Sequence, residues 1–382
     1  MAGQIIEKGK DRYLIRIYQG RDANGKRRYF SRQIKGKRNA RKLLTATLRD
    51  MDIGAFVEPT KLTVKEYLER WLKDAARPRV SRRTADGYAG ILERYIWPSL
   101  GSQRLDKLHP LDIQKVYGYM LSRGLSARVV RHTHAVLHNA LRQAVKWGIL
   151  LRNPSDLVEL PKVPHVERRV LSVEEAVRFI EAADAMPHGL IFIFALLSGM
   201  RPEEYLGLKW ADVDLERRTA QVKRALIWHK KSWSFEDPKT ARSRRTVSLP
   251  RPLVEKLKAH KRAQAEQRLR LGSSWGALDL VFCSEIGSPL QIPNITYRYY
   301  RPILKKAELP HLRLYDLRHS CATLLLTADE HPKVVSERLG HSTIVQTLDT
   351  YSHVLPTMQQ QATAKLESLL YDENGTPKIV NK

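Results

Sequence analysis

The chain has little cysteine and no long apolar run. Cys283 and Cys321 are its two thiols, and they are too far apart to form a CxxC pair. This usage is typical of a reducing compartment and excludes a cysteine-based zinc site. The longest apolar run, residues 190–197, is far shorter than the roughly 18 residues of a membrane-spanning helix. Since residues 1–8 also lack the apolar core of a secretion signal, we expect a cytoplasmic protein without membrane contact.

Acidic residues are also few. Lys plus Arg outnumber Asp plus Glu by 67 to 40, which gives a formal net charge of +27 and a pI of about 10.1. Such an excess predicts a polyanionic partner, with nucleic acid favoured over a membrane surface. A chain of 382 residues with 42% hydrophobic residues exceeds what one core usually organises, so several domains are expected.

The N-terminal segment, residues 1–58, has the pattern of a β-hairpin followed by a helix. Polar and apolar residues alternate over residues 12–18, a turn follows at Asn24-Gly25, and residues 26–30 resume the strand pattern. A helix is expected over residues 39–50. Basic residues interleave with aromatic ones, which favours a small DNA-binding module over a merely solvated charged surface. The candidate DNA contacts in this module are Arg16, Lys26, Arg27 and Arg28.

Residues 59–160 have helical periodicity. Thr63 stands as an N-cap before an apolar face that begins at Val64. Breakers are expected to divide the segment into about four helices, and they lie at Pro78, Pro98, Pro110 and Pro154. The candidate DNA contacts here are Arg82, Arg83 and Arg131. His134 and His138 lie one turn apart without a third ligand beside them, so no metal site is predicted.

Residues 161–169 are polar and proline-bearing, which predicts an interdomain linker. In residues 170–382, Ser172 and Glu175 form a capping-box pattern at a helix start. Helices are expected to residue 210, strands over about 220–248 and helices again to about 371, followed by a frayed tail. The predicted fold class is multidomain α+β: a small N-terminal β-hairpin or sheet with a helix, an all-α second domain, and a mainly α last domain with a small antiparallel sheet.

Four motifs of the last domain occur in a characteristic order. They read LSGMRPEEYLGLKW at residues 197–210, DPKTARSRRTV at 237–247, LYDLRHS at 314–320 and LGHS at 339–342. Nine residues separate His341 from Tyr351, and Ser352-His353 follow Tyr351 directly. In this order the motifs resemble those of the tyrosine recombinase, or phage integrase, family. The preceding helical domain is similar to a core-type DNA-binding domain, and the N-terminal module is similar to an arm-type one.

The resemblance implies a three-domain integrase of the phage or conjugative transposon type. Such an enzyme cleaves and rejoins DNA through a 3′-phosphotyrosine, integrates and excises a mobile element, and needs no metal or nucleotide cofactor. The implied partners are double-stranded attachment sites of core and arm type, further copies of the chain in a synaptic tetramer, an excisionase and a host DNA-bending protein. Its place in the cell would be the nucleoid.

The resemblance also assigns roles. Tyr351 would be the nucleophile and Lys239, on the family's β-hairpin, the general acid that protonates the leaving 5′ oxygen. Arg201 and Arg318 would each donate two hydrogen bonds to non-bridging oxygens of the phosphate, and His341 would donate a further hydrogen bond. A phosphodiester under attack concentrates charge on its equatorial oxygens, which is why positioned cations are required.

Other motif residues have supporting or open roles. Glu204 is expected to hold Arg201 in place, whereas His319 and His353 are each either supporting residues or direct phosphate contacts. Further candidate DNA-backbone contacts, or solvated charges, are Arg242, Arg244 and Arg245. Tyr315 departs from the family pattern, because it stands where a histidine is usual and a phenol is a poor proton acceptor at neutral pH.

Two alternatives use part of the same pattern. A type IB topoisomerase uses similar chemistry but relaxes supercoils without joining two sites. A non-catalytic DNA-binding regulator would need the basic surfaces alone, and the complete set of five catalytic candidates argues against it.

Overall fold

The computed structural model describes residues 3–22, 24–54, 56, 58–164, 169–229, 232–238, 243–341, 343–351, 363–364 and 366–371, and the side chains of residues 346 and 349–351 are also outside this description. The chain divides into two compact units, Met1–His165 and Val166–Lys382.

The first unit begins with a three-stranded antiparallel sheet in the order β1-β2-β3. Its strands are β1 (Gly3–Gly9), β2 (Arg12–Arg21) and β3 (Arg27–Lys35), and helix α1 (Lys37–Asp52) packs on one face. Ile15, Ile17 and Phe30 are buried on that face. Because side chains alternate along a strand, Arg16 and Tyr18 lie on the opposite, exposed face. The predicted hairpin and helix are confirmed, and β1 adds a strand beyond the hairpin.

The helical part of the first unit is built from five helices, α2 (Val64–Trp71), α3 (Arg82–Ile91), α4 (Trp97–Leu100), α5 (Pro110–Ser122) and α6 (Ala127–Lys146). The predicted cap at Thr63 is confirmed. Its hydroxyl accepts the Glu66 N–H at 3.2 Å, and the Glu66 carboxylate accepts the Thr63 N–H at 2.8 Å. The apolar stripes of these helices enclose one core, separate from the core of the sheet.

The predicted break at Pro98 is wrong. Helix α3 runs through a π-helical turn, Leu92–Ile96, directly into α4. The wider turn lets the Trp97 N–H donate to the Leu92 carbonyl. Pro98 follows this turn directly. Because a proline has no N–H to donate and its ring crowds the preceding turn, the wider π-helical spacing lets the helix continue past it. A second π-helical turn, Leu72–Ala76, extends α2 in the same way.

The second unit combines a helical core with small antiparallel strands, as the sequence predicted, but the strands form two sheets and not one. Its helices are α7 (Val173–Asp184), α8 (Gly189–Ser198), α9 (Pro202–Leu206), α10 (Arg251–Leu271), α11 (Ile292–Ile295), α12 (Arg301–Lys306), α13 (Asp316–Thr327), α14 (Pro332–Leu339) and α15 (Ile344–Tyr351). Its strands are β4 (Val213–Asp214), β5 (Thr219–Val222), β6 (Ala225–His229), β7 (Ser232–Glu236) and β8 (Arg245–Ser248). One sheet has the order β4-β5-β8, and β6 and β7 form a separate hairpin.

Helix α8 is the centre of the second unit. Its residues 191–196 are almost fully buried and apolar on all sides, and α7, α10 and α13 contact it. A helix that is apolar all round is stable only inside a core. The capping box predicted at Ser172 is confirmed at the start of α7, where the Ser172 hydroxyl accepts the Glu175 N–H at 3.2 Å. In the described part of the chain, no helix has both the length and the apolar character needed to cross a membrane.

Candidate active site

Arg201 lies at a sharp turn between α8 and α9. Gly199 ends α8 with φ of 66°, and a Cβ there would come within 3.0 Å of Leu339 and 3.1 Å of the Cys321 sulphur. The left-handed backbone and the close contacts both require glycine. Glu204, one turn into α9, accepts the Arg201 backbone N–H at 2.9 Å and its Nη1 at 2.7 Å. The turn therefore fixes the backbone and the guanidinium of Arg201 together.

Arg318 is buried on α13, with 2% of its surface exposed. Its Nη1 donates to the Gly199 carbonyl at 2.7 Å and its Nη2 to the Leu339 carbonyl at 2.5 Å. These carbonyls end α8 and α14, where the helix dipole is negative. Burial and the nearby Arg201 lower the pKa of Arg318 to about 10, so the guanidinium keeps its charge at neutral pH. Two helix ends thus hold a cation in the interior.

His341 follows Gly340, which ends α14 with φ of 67°. Its Nδ1 lies 2.8 Å from the hydroxyl of Thr347, a fully buried residue of α15. Burial, followed by the charges of Arg318 and Arg201, lowers the pKa of His341 to about 3. The imidazole is therefore neutral at pH 7, with one nitrogen engaged by Thr347.

Tyr351 ends α15 four residues after Thr347. On a helix this spacing places its backbone one turn further along the same face. The side chain of Tyr351 lies outside the described residues. The contact between Thr347 and His341 nevertheless ties the helix that carries Tyr351 to the site.

Arg245, proposed from the sequence as a DNA-backbone contact or solvated charge, is instead buried, with 6% of its side chain exposed. Its Nη2 donates to Glu204 Oε2 at 2.8 Å and its Nη1 to Glu204 Oε1 at 3.2 Å, while its Nε donates to the Arg338 carbonyl at 2.5 Å. These partners enclose the guanidinium, so the interpretation of Arg245 as a solvated charge was wrong, whereas its contact with a DNA backbone stays a prediction.

Glu204 thus binds two arginines, and we name these residues the Arg201–Glu204–Arg245 cluster. Burial raises the pKa of the Glu204 carboxyl, but the contacts with Arg245 and Arg201 outweigh burial and lower it overall. The carboxylate is therefore charged at neutral pH, and the cluster carries a net charge of about +1, since two guanidiniums share one carboxylate.

Tyr315 lies at the start of α13 with 40% of its surface exposed, and its ring centroid is 5.5 Å from that of the buried His319. Its phenol also interacts with Arg201. Burial lowers the pKa of Arg201, but Glu204 and then Tyr315 outweigh this effect and raise it. The family's histidine position is thus occupied by a phenol that interacts with one of the site's arginines.

Three sequence-predicted residues, Lys239, Arg242 and His353, lie outside the described residues. Strand β5 pairs with β8, and the β6–β7 hairpin is inserted between them. In the sequence, Lys239 falls between β7 and β8.

The remaining candidate DNA contacts are exposed. Arg16 stacks on the Tyr29 ring at 3.8 Å, Arg28 lies 3.6 Å from Glu58, and Arg244 donates to Asp237 at 3.0 Å. Arg131 donates to the Pro161 carbonyl at 3.3 Å. The others, Lys26, Arg27, Arg82 and Arg83, are also on the surface.

Sequence reasoning missed Thr347 and the contact of Arg245 with Glu204. The position of Thr347, four residues before Tyr351 on a helix, is a signal that marks it as a neighbour of the site. The sequence carries no comparable signal for Arg245, because three arginines stand close together at residues 242–245 and their local pattern does not say which one turns inward.

Comparison with known proteins agrees with this geometry. Residues 169–358 match the phage integrase family, and residues 63–121 match the N-terminal SAM-like domain of phage integrases. A tyrosine recombinase XerC-like protein of Caldanaerobacter subterraneus is 30% identical over 385 residues, which cover 95% of this chain and 98% of the relative. The chain is a tyrosine recombinase, and it belongs to the phage integrase family.

Two solved structures share the fold. The Tn1549 transposon integrase in complex with circular intermediate DNA has a TM-score of 0.67 and 20% identity, and the match covers 80% of this chain and 100% of that one. A lambda integrase tetramer bound to a Holliday junction has a TM-score of 0.54 and 17% identity, over 89% of this chain and 95% of that one. The protein is thus a site-specific DNA recombinase of the integrase type, an enzyme that cleaves and rejoins DNA.

Proposed function

We propose that this integrase joins a mobile element to host DNA, and excises it, through a 3′-phosphotyrosine formed on Tyr351. The observation that carries the proposal is the convergence of Arg201, Arg318 and the neutral His341 at the ends of α8 and α14. Helix α15, which carries Tyr351, is bound to this group through Thr347.

The arrangement supports transesterification without an external energy source. Arg201 and Arg318 bind the non-bridging oxygens of the scissile phosphate, and His341 contributes a hydrogen bond from the nitrogen that does not face Thr347. The Tyr351 hydroxyl passes its proton to water, to the phosphate or to a neighbouring histidine, and its oxygen attacks phosphorus. The bond from phosphorus to the 5′ oxygen breaks, and Lys239 protonates that oxygen. A 5′-hydroxyl of a second strand reverses these steps, so the phosphodiester count is conserved and no ATP is needed.

We also propose a separate function for each domain of the chain. Residues 1–58 bind arm-type sites, residues 59–160 bind core-type sites, residues 161–169 link them to the last domain, and residues 170–382 catalyse. The exposed face of the N-terminal sheet supports the first assignment, because Arg16, Tyr18 and Tyr29 combine charge with aromatic surface. Residues Lys26, Arg27, Arg28, Arg82, Arg83, Arg131, Arg242 and Arg244 are proposed as phosphate contacts.

We further propose assembly as a tetramer on DNA, assisted by an excisionase and a host DNA-bending protein. The C-terminal segment supports self-association. Its described part is helical at residues 363–364 and 366–370, and Leu366, Leu369 and Leu370 are exposed at i, i+3 and i+4 spacing. Truncation after residue 359 should therefore lower synapsis more than single-site binding. Unchanged synapsis would contradict the proposed docking of this helix onto a neighbour.

The decisive experiment is Tyr351→Phe on a nicked suicide substrate. The wild type should accumulate a covalent protein–DNA adduct, and the variant should form none while its DNA affinity is nearly unchanged, because one oxygen is lost. An adduct in the variant would place the nucleophile elsewhere, and no adduct with the wild type would favour a non-catalytic regulator. A two-site strand-exchange assay separates integration from topoisomerase-like activity, since a topoisomerase relaxes supercoils but yields no recombinant product.

A further inference from the structure

Arg245 carries a buried charge that the reaction does not use directly. Four contacts engage it: two with the carboxylate of Glu204, one with the Arg338 carbonyl and one with the Ser243 carbonyl at 3.2 Å. A Cβ on Gly340 would lie 3.0 Å from its Nη1. The guanidinium therefore touches the turn before His341 on one side and the partner of Arg201 on the other.

The carboxylate of Glu204 poses a problem for catalysis. It lies with 4% of its side chain exposed against Arg201, and a buried carboxylate strongly attracts a single neighbouring guanidinium. A carboxylate with one arginine partner prefers a bidentate pair, which would occupy two N–H groups of Arg201 and cancel its charge. Arg201 would then have little left to offer a phosphate.

The observed geometry avoids this outcome. Arg245 holds the carboxylate with two bonds, of 2.8 and 3.2 Å, whereas the side chain of Arg201 makes one close bond to it, from Nη1 at 2.7 Å. The Arg201 side chain remains 28% exposed, which leaves an edge of the guanidinium toward solvent. The two arginines thus differ in role although they share one partner.

We propose that Arg245 is a positioning residue that occupies Glu204 and so keeps the charge and the free N–H groups of Arg201 available to the scissile phosphate. Glu204 orients Arg201, and Arg245 prevents Glu204 from neutralising it. This inference rests on the proposed catalytic role of Arg201.

The test compares Arg245→Met, Arg245→Lys, Glu204→Gln and the double variant Arg245→Met/Glu204→Gln in single-turnover cleavage of a suicide substrate at saturating protein. Arg245→Met should slow cleavage by about 10²-fold while DNA affinity changes by less than about threefold, because the loss affects the transition state. Arg245→Lys keeps the positive charge but cannot donate two parallel hydrogen bonds to the carboxylate, so it should slow cleavage by about tenfold. The double variant should cleave at least tenfold faster than Arg245→Met, because no carboxylate is left to capture Arg201.

The double variant distinguishes positioning from local folding. If Arg245 served only the packing of β8 against α14, removal of Glu204 as well would leave cleavage as slow as in Arg245→Met, and this result would overturn the proposal. Arg224→Met is the matched control, because Arg224 is another partly buried arginine and binds a different buried carboxylate, that of Asp212. It should lower the melting temperature without slowing cleavage by more than about threefold.

The wild-type reaction separates this inference from the proposed function. If the wild type forms the adduct but Arg245→Met cleaves at the wild-type rate, the inference fails and the proposed function stands. If the wild type forms no adduct, the proposed function fails. Should Arg245→Met not fold, Arg245→Lys still decides, since cleavage by this variant at the wild-type rate would overturn the proposal.

Discussion

Removal of the Tyr315 hydroxyl is the sharpest test of how this site differs from the family pattern. Tyr315 occupies the usual histidine position, and a phenol, which ordinarily loses its proton near pH 10, cannot act as an efficient base at neutral pH. Its phenol interacts with Arg201 and contributes to the raised pKa of that guanidinium. We therefore expect Tyr315 to act by a hydrogen bond and not by proton abstraction.

The expected magnitude follows from its surroundings. A hydrogen bond to a charged group contributes about 1.5–3 kcal/mol when buried, but Tyr315 is 40% exposed and water can replace part of the bond. A loss of about 1.4 kcal/mol corresponds to a tenfold decrease in rate. Tyr315→Phe should therefore slow cleavage by about tenfold or less, whereas Arg201→Ala or Arg318→Ala should cost on the order of 10³-fold.

The assay is single-turnover cleavage of a suicide substrate at saturating protein between pH 6 and 9. Tyr315→His should remain active, because it introduces the family's usual group. Tyr297→Phe is the control, since Tyr297 is a highly exposed tyrosine beside Arg301, and it should cleave at the wild-type rate. A loss in Tyr315→Phe as large as the losses in the arginine variants would refute the reasoning and make Tyr315 essential.

Three further predictions concern Thr347, His341 and the N-terminal module. Thr347→Val should slow cleavage by about fivefold, as expected for one hydrogen bond of about 1 kcal/mol, and Thr347→Ser should restore the rate. A Ser variant as slow as the Val variant would exclude the hydroxyl as the cause. His341, whose pKa is lowered to about 3 in the folded state, takes up a proton near pH 6.5 when unfolded. The free energy of unfolding should therefore decrease as the pH falls from 7.5 to 5, and urea titrations should show a smaller decrease for His341→Gln; equal decreases would contradict the lowered pKa. Deletion of residues 1–58 should weaken binding to arm-type DNA while sparing cleavage of isolated core sites, and band-shift and cleavage assays showing equal losses would refute the separate arm-binding role.

Local signals in the sequence were sufficient for several elements. The caps at Thr63 and Ser172 were predictable because both hydrogen-bonding partners lie within three residues of each other. The hairpin of β2 and β3 followed from strand alternation around Asn24-Gly25. The order of four motifs was sufficient to propose the family and the residues that form the candidate site.

Contacts between distant residues were decided only by the tertiary structure. Pro98 was predicted to end a helix, but packing of both flanks into one core favours a continuous helix with a π-helical turn. The sequence motif marks Arg318 but does not reveal that carbonyls 119 residues away and 21 residues away hold it. Arg245 is the clearest case: it lies among surface arginines in the sequence, yet it turns inward to Glu204, 41 residues away. A local pattern specifies caps, turns and periodicity, whereas the direction in which a charged side chain points depends on which buried partner the fold brings next to it.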